Sequence, residues 1–119
     1  MAASPTDRIE DYHIHVYYCE ATKPKAEALR AKLEAAFPSA LYGRWHDKPV
    51  GPHPEWSYQV HFAKELFAEI VPYVALERDG LTILVHPNTS DDLADHRDYA
   101  LWMGDMPDLE LSIFQKTAD

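Results

Sequence analysis

Two segments of helical periodicity, each set between segments that alternate every second residue, constrain this chain more than any other feature. From Lys23 to Phe37, Ala26, Leu29, Leu33 and Ala36 recur at helical spacing, and Phe37 closes the stripe before Pro38 stops it. Thr22 is placed to cap the start, and Pro24 falls in the first turn, where its missing N–H costs little. From Lys64 to Arg78, the residues Phe67, Ile70, Val71, Val74 and Ala75 form a second apolar side. Pro72 inside that segment predicts a kink or a false boundary. The flanking segments read as strands from their β-branched and aromatic content. In Tyr12 to Tyr18, Ile14 and Val16 share one face, and His13, His15 and Tyr17 share the other. In Trp56 to Phe62, Tyr58, Val60 and Phe62 oppose Ser57, Gln59 and His61. Leu41 to Asp47 and Leu81 to His86 complete the set, and the Pro-Gly-rich segment Lys48 to Glu55 reads as a loop.

The order is β-α-β-β-α-β. It predicts an α+β domain of the ferredoxin-like kind: an antiparallel sheet in the spatial order 4-1-3-2, with two helices on one face. Right-handed crossovers place both helices on the same side. A short helix from Asp92 to Met103 and a strand-like run from Leu109 to Phe114 are expected as a C-terminal helix and strand. Residues 1–11 read as a flexible leader, 12–114 as one domain and 115–119 as a tail.

This topology gives the seven histidines meaning. Strand 1 runs opposite to strands 3 and 4, so its start lies beside their ends. His13 and His15 open strand 1, His61 ends strand 3 and His86 ends strand 4. His13 and His15 stand on one face with Cβ atoms about 7 Å apart, a spacing that lets two imidazoles reach one ion. His86 joins them if Thr82 and Leu84 share its face. His53 belongs to the opposite end by strand topology, unless the long loop folds over the sheet or reaches a neighbouring subunit, and His46 carries the same condition. His96 lies on the short C-terminal helix, where it can cap the site. Half-exposed histidines on an open sheet are individually ordinary. Their convergence is what predicts a site, since imidazole is the commonest protein metal ligand.

All-nitrogen ligation suits Fe(II), Zn(II), Ni(II) or Mn(II). The carboxylates Asp11, Glu20, Asp47, Asp95 and Glu110 read as solvated groups or as partners of ligands. The pair Asp91-Asp92 reads as a helix cap. Arg44 offers a guanidinium to a substrate carboxylate or, equally, to a surface salt bridge. An open face bearing aromatic residues predicts that two copies pair around a twofold axis, as a homodimer.

Eleven Lys and Arg against 20 Asp and Glu give a net charge of -9, the wrong sign for nucleic acid or an anionic membrane surface. The one cysteine, Cys19, excludes an internal disulfide and a cysteine-based zinc site. It follows Val16-Tyr17-Tyr18 and reads as a buried, inert thiol. No stretch approaches the roughly 20 apolar residues of a membrane span. The polar start lacks a signal-peptide core, so a soluble, cytoplasmic protein is expected. There is no His-Glu-x-x-His, P-loop or Gly-x-Ser-x-Gly.

Several segments together resemble a known family. They are Asp11-Tyr12-His13-Ile14-His15-Val16-Tyr17, the stretch Gly43-Arg44-Trp45-His46 through Gly51-Pro52-His53-Pro54, Leu84-Val85-His86-Pro87-Asn88-Thr89, Asp95-His96 and Ala100-Leu101-Trp102. They resemble the DOPA 4,5-dioxygenase family of the fungal type and its bacterial relatives, from about Asp11 to Phe114. The Gly-Pro-His-Pro and Leu-Val-His-Pro-Asn-Thr segments carry the specificity; His-x-His alone would not. The resemblance implies a ferredoxin-like domain, often dimeric, that cleaves a catechol with O₂ at a non-haem Fe(II) by extradiol chemistry. Zinc or another divalent metal is the alternative occupant in a purified sample. In the fungal members the product feeds betalamic acid and muscaflavin pigments. The matching histidines are His13, His15, His46, His53, His86 and His96. His61 is not a motif position and is left off the site. Among the six, we assign the metal to His15, His53 and His86 with His13 as a fourth candidate, and proton transfer or substrate orientation to His46 and His96. Two other readings compete: a non-catalytic dimeric module that binds a small aromatic or a metal, and a cofactor-free monooxygenase of the dimeric α/β-barrel kind.

Overall fold

The computed structural model describes residues 4–114; the expected tail and residues 1–3 lie outside them. Its elements are β1 (Asp11–Tyr18), α1 (Lys23–Ala36), β2 (Leu41–Tyr42), β3 (Trp56–Ala63), α2 (Phe67–Glu77), β4 (Ile83–Asn88), α3 (Asp92–His96) and β5 (Leu101–Met103). The sheet order is β2-β3-β1-β4-β5, with every neighbouring pair antiparallel. The 4-1-3-2 order therefore holds, with β5 added beside β4.

The alternation read from the sequence builds the core. Ile14, Val16 and Tyr18 of β1, Tyr58, Val60 and Phe62 of β3, and Ile83 and Val85 of β4 meet Ala26, Leu29 and Leu33 of α1 and Ile70 and Val74 of α2. Each fully buried Val, Leu or Ile contributes roughly 1.5–3 kcal/mol. Ala36 and Ala75, at the edges of the expected stripes, are exposed. A 3₁₀ turn, Lys64–Leu66, precedes α2, which then runs through Pro72 to Glu77. Pro72 and Ala68 are both exposed, so water can take the Ala68 carbonyl that Pro72 has no N–H to reach.

Several local expectations are corrected. The second strand is two residues long, followed by a single His46–Ser57 bridge, because the Arg30 guanidinium donates to the Gly43 carbonyl at 2.6 Å. The C-terminal helix ends at His96 because the N–H groups of Arg97, Asp98 and Tyr99 all converge on the Ala94 carbonyl. Leu101–Met103 then pairs with Ile83–Val85 as a strand. The run from Leu109 is not a strand: it crosses the open face and ends in a 3₁₀ turn, Leu111–Phe114. Cys19 is exposed, since β1 stops at Tyr18 and the Thr22 hydroxyl accepts from the Cys19 N–H at 2.9 Å, which also leaves α1 without a side-chain cap. The stretch read as a leader holds a 3₁₀ turn, Pro5–Arg8, closed by a Ser4–Asp7 capping box. Among the described residues no helix is long and apolar enough to cross a membrane.

Candidate metal centre

The strand register sets the histidines in a row. His13 stands opposite His61 on β3 and opposite His86 on β4, and His15, two residues on, stands opposite Gln59 and Leu84. Side chains directly opposite across antiparallel strands have Cβ atoms about 4.5–5.5 Å apart. His86 therefore shares the face of His13 and His15, as required for the site. One ring nitrogen from each of His13, His15 and His86 falls within 4.8 Å of the others.

The donor atoms suit an ion. The His86 Nδ1–H donates to the Pro87 carbonyl at 3.0 Å, which leaves Nε2 as a lone pair. That Nε2 lies 3.0 Å from Nε2 of His15. Two nitrogens at right angles on one ion, each about 2.1 Å from it, stand about 3 Å apart. Burial holds these imidazoles neutral, as metal binding requires. It depresses His13 to about 4 and His86 to about 3, and drives His15 well below its usual value, with repulsion among the histidines adding to the effect.

The three line a cleft of about 300 Å³, walled also by Val50, Pro52, His53, Gln59, His96 and Phe114. The loop after the His46 bridge delivers His53 within the same chain, folding over the sheet. A turn carrying the His53 N–H to Val50 O at 3.0 Å shapes it, with Gly51 at φ 54, a conformation that favours glycine. The Glu110 N–H pins the loop to the C-terminal crossing through Pro52 O at 2.8 Å. The His53 ring centre lies 4.1 Å from that of His15, and its Nδ1 lies 2.6 Å from the Tyr17 hydroxyl. Burial and the neighbouring His96 depress His53 to about 4.

His96 closes the other side. Its Nδ1–H donates to the Asp92 carbonyl at 2.7 Å, its ring centre is 4.1 Å from that of His86, and it stacks on Phe114 at 4.5 Å. Asp95 is buried and accepts from the Thr89 N–H and hydroxyl, at 2.9 and 2.7 Å, which ties α3 to the end of β4 and so places His96.

His61 was set aside for lack of a motif, yet its ring centre stands 5.0 Å from that of His13. Its Nε2 meets the Asp11 carboxylate at 2.7 Å, and the Asn88 amide donates to the same carboxylate at 2.6 Å. Partial burial pushes the Asp11 carboxyl up, and the hydrogen bonds from Asn88 and His61 outweigh it, so its pKa lies below the usual carboxylate range. The strand topology alone had pointed to His61. Phe114 carried no signal in the sequence, because only the C-terminal crossing brings it to His96. His46 sits on the row of Ser57 and Tyr17, beyond the cleft walls, and Arg44 is exposed outside them. A second cleft of about 290 Å³, between the Pro5–Arg8 turn and β5, is mostly apolar and holds no histidine.

Residues 12–113 match the Dopa 4,5-dioxygenase family. A solved structure of a candidate dioxygenase from Nostoc punctiforme superposes with a TM-score of 0.91 at 41% identity, covering 98% of this chain and 100% of that one. A DOPA 4,5-dioxygenase of Amanita muscaria is 33% identical over 104 residues, 81% of this chain and 46% of that protein. An uncharacterized 21.2 kDa protein of Botryotinia fuckeliana is 31% identical over 116 residues, 88% of this chain and 63% of its own length. The chain thus spans about half to two thirds of the length of these curated relatives. The histidine row, the fold and these matches agree, and the chain belongs to the Dopa 4,5-dioxygenase family.

Proposed function

We propose that this protein is an extradiol dioxygenase that opens a DOPA-like catechol with O₂ at a non-haem Fe(II) held by His13, His15 and His86. One observation carries the reading: one ring nitrogen from each of three imidazoles lies within 4.8 Å of the others in a cleft of a chain from this family. The ligand set takes His13 in place of the His53 expected from the sequence, because His13 supplies the third nearby nitrogen. When bound, the ion would lower the pKa of both catechol oxygens and bring substrate and O₂ together.

The chain's own groups supply the rest. His96 has its Nδ1 occupied by the Asp92 carbonyl, so its Nε2 lone pair is free to take a catechol proton. Phe114, Pro52 and Val50 line the cleft and would offer a flat ring apolar walls. His46 and Arg44 lie outside the cleft and are assigned to the part of the substrate that projects from it, the carboxylate-bearing side chain of DOPA. A homodimer is part of this reading, and a monomeric mass by light scattering would remove it.

The test is to load the protein anaerobically with Fe(II), add DOPA and admit air. A yellow product with stoichiometric O₂ uptake is expected. Iron bound without O₂ uptake across several catechols would overturn the reading in favour of a binding module. Activity that survives chelation would favour a cofactor-free monooxygenase. His96→Gln should keep its iron and lose roughly 10²- to 10⁴-fold in kcat.

A further inference from the structure

Three histidines around the cleft have Nδ1 engaged by a partner, and the partners differ in kind. His86 and His96 face the carbonyls of Pro87 and Asp92, which can only accept, so both rings carry hydrogen on Nδ1 and a lone pair on Nε2. His53 instead faces the Tyr17 hydroxyl, at 2.6 Å. Tyr17 is 1% exposed and, among the described residues, its hydroxyl meets no other polar partner. Were the phenol to accept from His53, its own O–H would be left buried and unpaired, at a cost of about 1–3 kcal/mol. Donation from Tyr17 pairs both groups. The phenol ring is held in place by Trp102, edge-on at 5.9 Å, and by the His53 ring itself at 5.5 Å.

We propose that Tyr17 is a positioning residue: its hydroxyl donates to Nδ1 of His53 and fixes that imidazole as the Nε2–H tautomer, which makes His53 a hydrogen-bond donor into the cleft and bars it from ligating the metal. The His53 Nε2 has no protein partner among the described residues, and no buried side-chain nitrogen or oxygen there goes unpaired, so this nitrogen opens onto the cleft. The cleft would then hold the free lone pair of His96 facing one fixed donor at His53, with the His86 lone pair committed to the ion. The chemistry this donor recognises is an anionic oxygen, and on the dioxygenase reading above that oxygen belongs to the deprotonated catechol or to the reacting O₂. The hydroxyl matters because Phe in its place would leave Nδ1 free to take the hydrogen and Nε2 free to bind the ion.

The test is long-range proton–nitrogen correlation spectroscopy of the imidazoles in the ¹⁵N-labelled full chain, with and without Zn(II) as a diamagnetic ion. His53 should show the Nε2–H tautomer in both states, while nitrogens of His13, His15 and His86 shift on Zn(II) addition. Tyr17→Phe should populate the Nδ1–H tautomer of His53 and lower kcat for O₂ uptake with Fe(II) and DOPA about 10- to 100-fold, with bound iron per chain unchanged. An Nδ1–H tautomer in the wild type, or a His53 nitrogen that shifts with Zn(II) as a ligand does, would overturn the proposal. The wild-type spectra decide it even if Tyr17→Phe does not fold. They also decide it if no catechol is consumed, an outcome that defeats the dioxygenase reading alone.

Discussion

Strand β1 presents two faces of nearly equal burial and opposite chemistry. Ile14 and Val16 are both 0% exposed against the helices, while His15 and Tyr17, between and beyond them, are 4% and 1% exposed on the other side. The helix side is dry and held by apolar contact across α1, α2 and three strands. The other side is covered by a loop, a five-residue helix and a 3₁₀ turn, and among the described residues no buried side-chain nitrogen or oxygen goes unpaired. Equal burial thus serves two ends. One face stabilises the fold, and the other desolvates imidazoles so that they stay neutral and available to an ion.

If the two faces divide the work in this way, single substitutions should separate stability from metal binding. The largest effect is expected at His86→Ala, which should lose bound iron and O₂ uptake together, while its urea midpoint, compared between metal-free proteins, falls less than that of Leu33→Ala. Iron retained at wild-type stoichiometry would remove His86 from the site. Leu33→Ala should do the reverse, destabilising by about 3–4 kcal/mol in urea unfolding with one ion still bound per folded chain. A parallel loss of iron affinity would show the faces to be coupled. Adding Zn(II) at about one hundred times its Kd should raise stability by about 2.7 kcal/mol, reversibly with a chelator, and His15→Gln should abolish that increment. Arg44→Ala should raise KM for DOPA about fivefold, an exposed charge pair being worth about 1 kcal/mol at most, and leave unsubstituted catechol unaffected. Equal effects on both substrates would dismiss the carboxylate contact.

The smallest effect belongs to the helix side, at Asp47. Hydrogen bonds from the Lys23 ammonium at 2.7 Å and the Tyr18 hydroxyl at 2.8 Å hold its carboxyl below its ordinary 3.8. A carboxyl whose pKa is lower folded than unfolded stabilises the fold above its unfolded pKa, and that contribution fades as pH falls through the folded value. The small stability gap between wild type and Asp47→Asn should therefore be present near neutrality and close as pH drops below 3.8. A gap unchanged in acid would assign it to something other than the charge.

Much of this division was legible in advance. Period-two alternation sorts Ile14 and Val16 from His13, His15 and Tyr17 without knowledge of any partner strand, because side-chain direction along a strand is a local property. Strand direction alone was enough to set His61 and His86 beside His13. Elements whose extent depends on distant partners were misread. Arg30, thirteen positions before Gly43, cuts β2 short through the Gly43 carbonyl. The segment from Leu101 to Met103 fits a helix by itself and becomes a strand because β4 has an edge to offer. Cys19 follows an apolar run, yet it emerges at the surface once Tyr18 ends the strand.

The amino-acid sequence by itself determined which side chains face the helices, the order of the central strands and the row of imidazoles at one end of the open face, since these follow from periodicity, the order of elements along the chain and strand direction. Only the tertiary structure decided that His53 enters from its own chain, that Phe114 covers His96, and that Tyr17 meets Nδ1 of one histidine while backbone carbonyls meet Nδ1 of two others. Those contacts join residues far apart in the chain through a loop and a crossing segment. Their paths are set by what they pack against rather than by any local preference of their own.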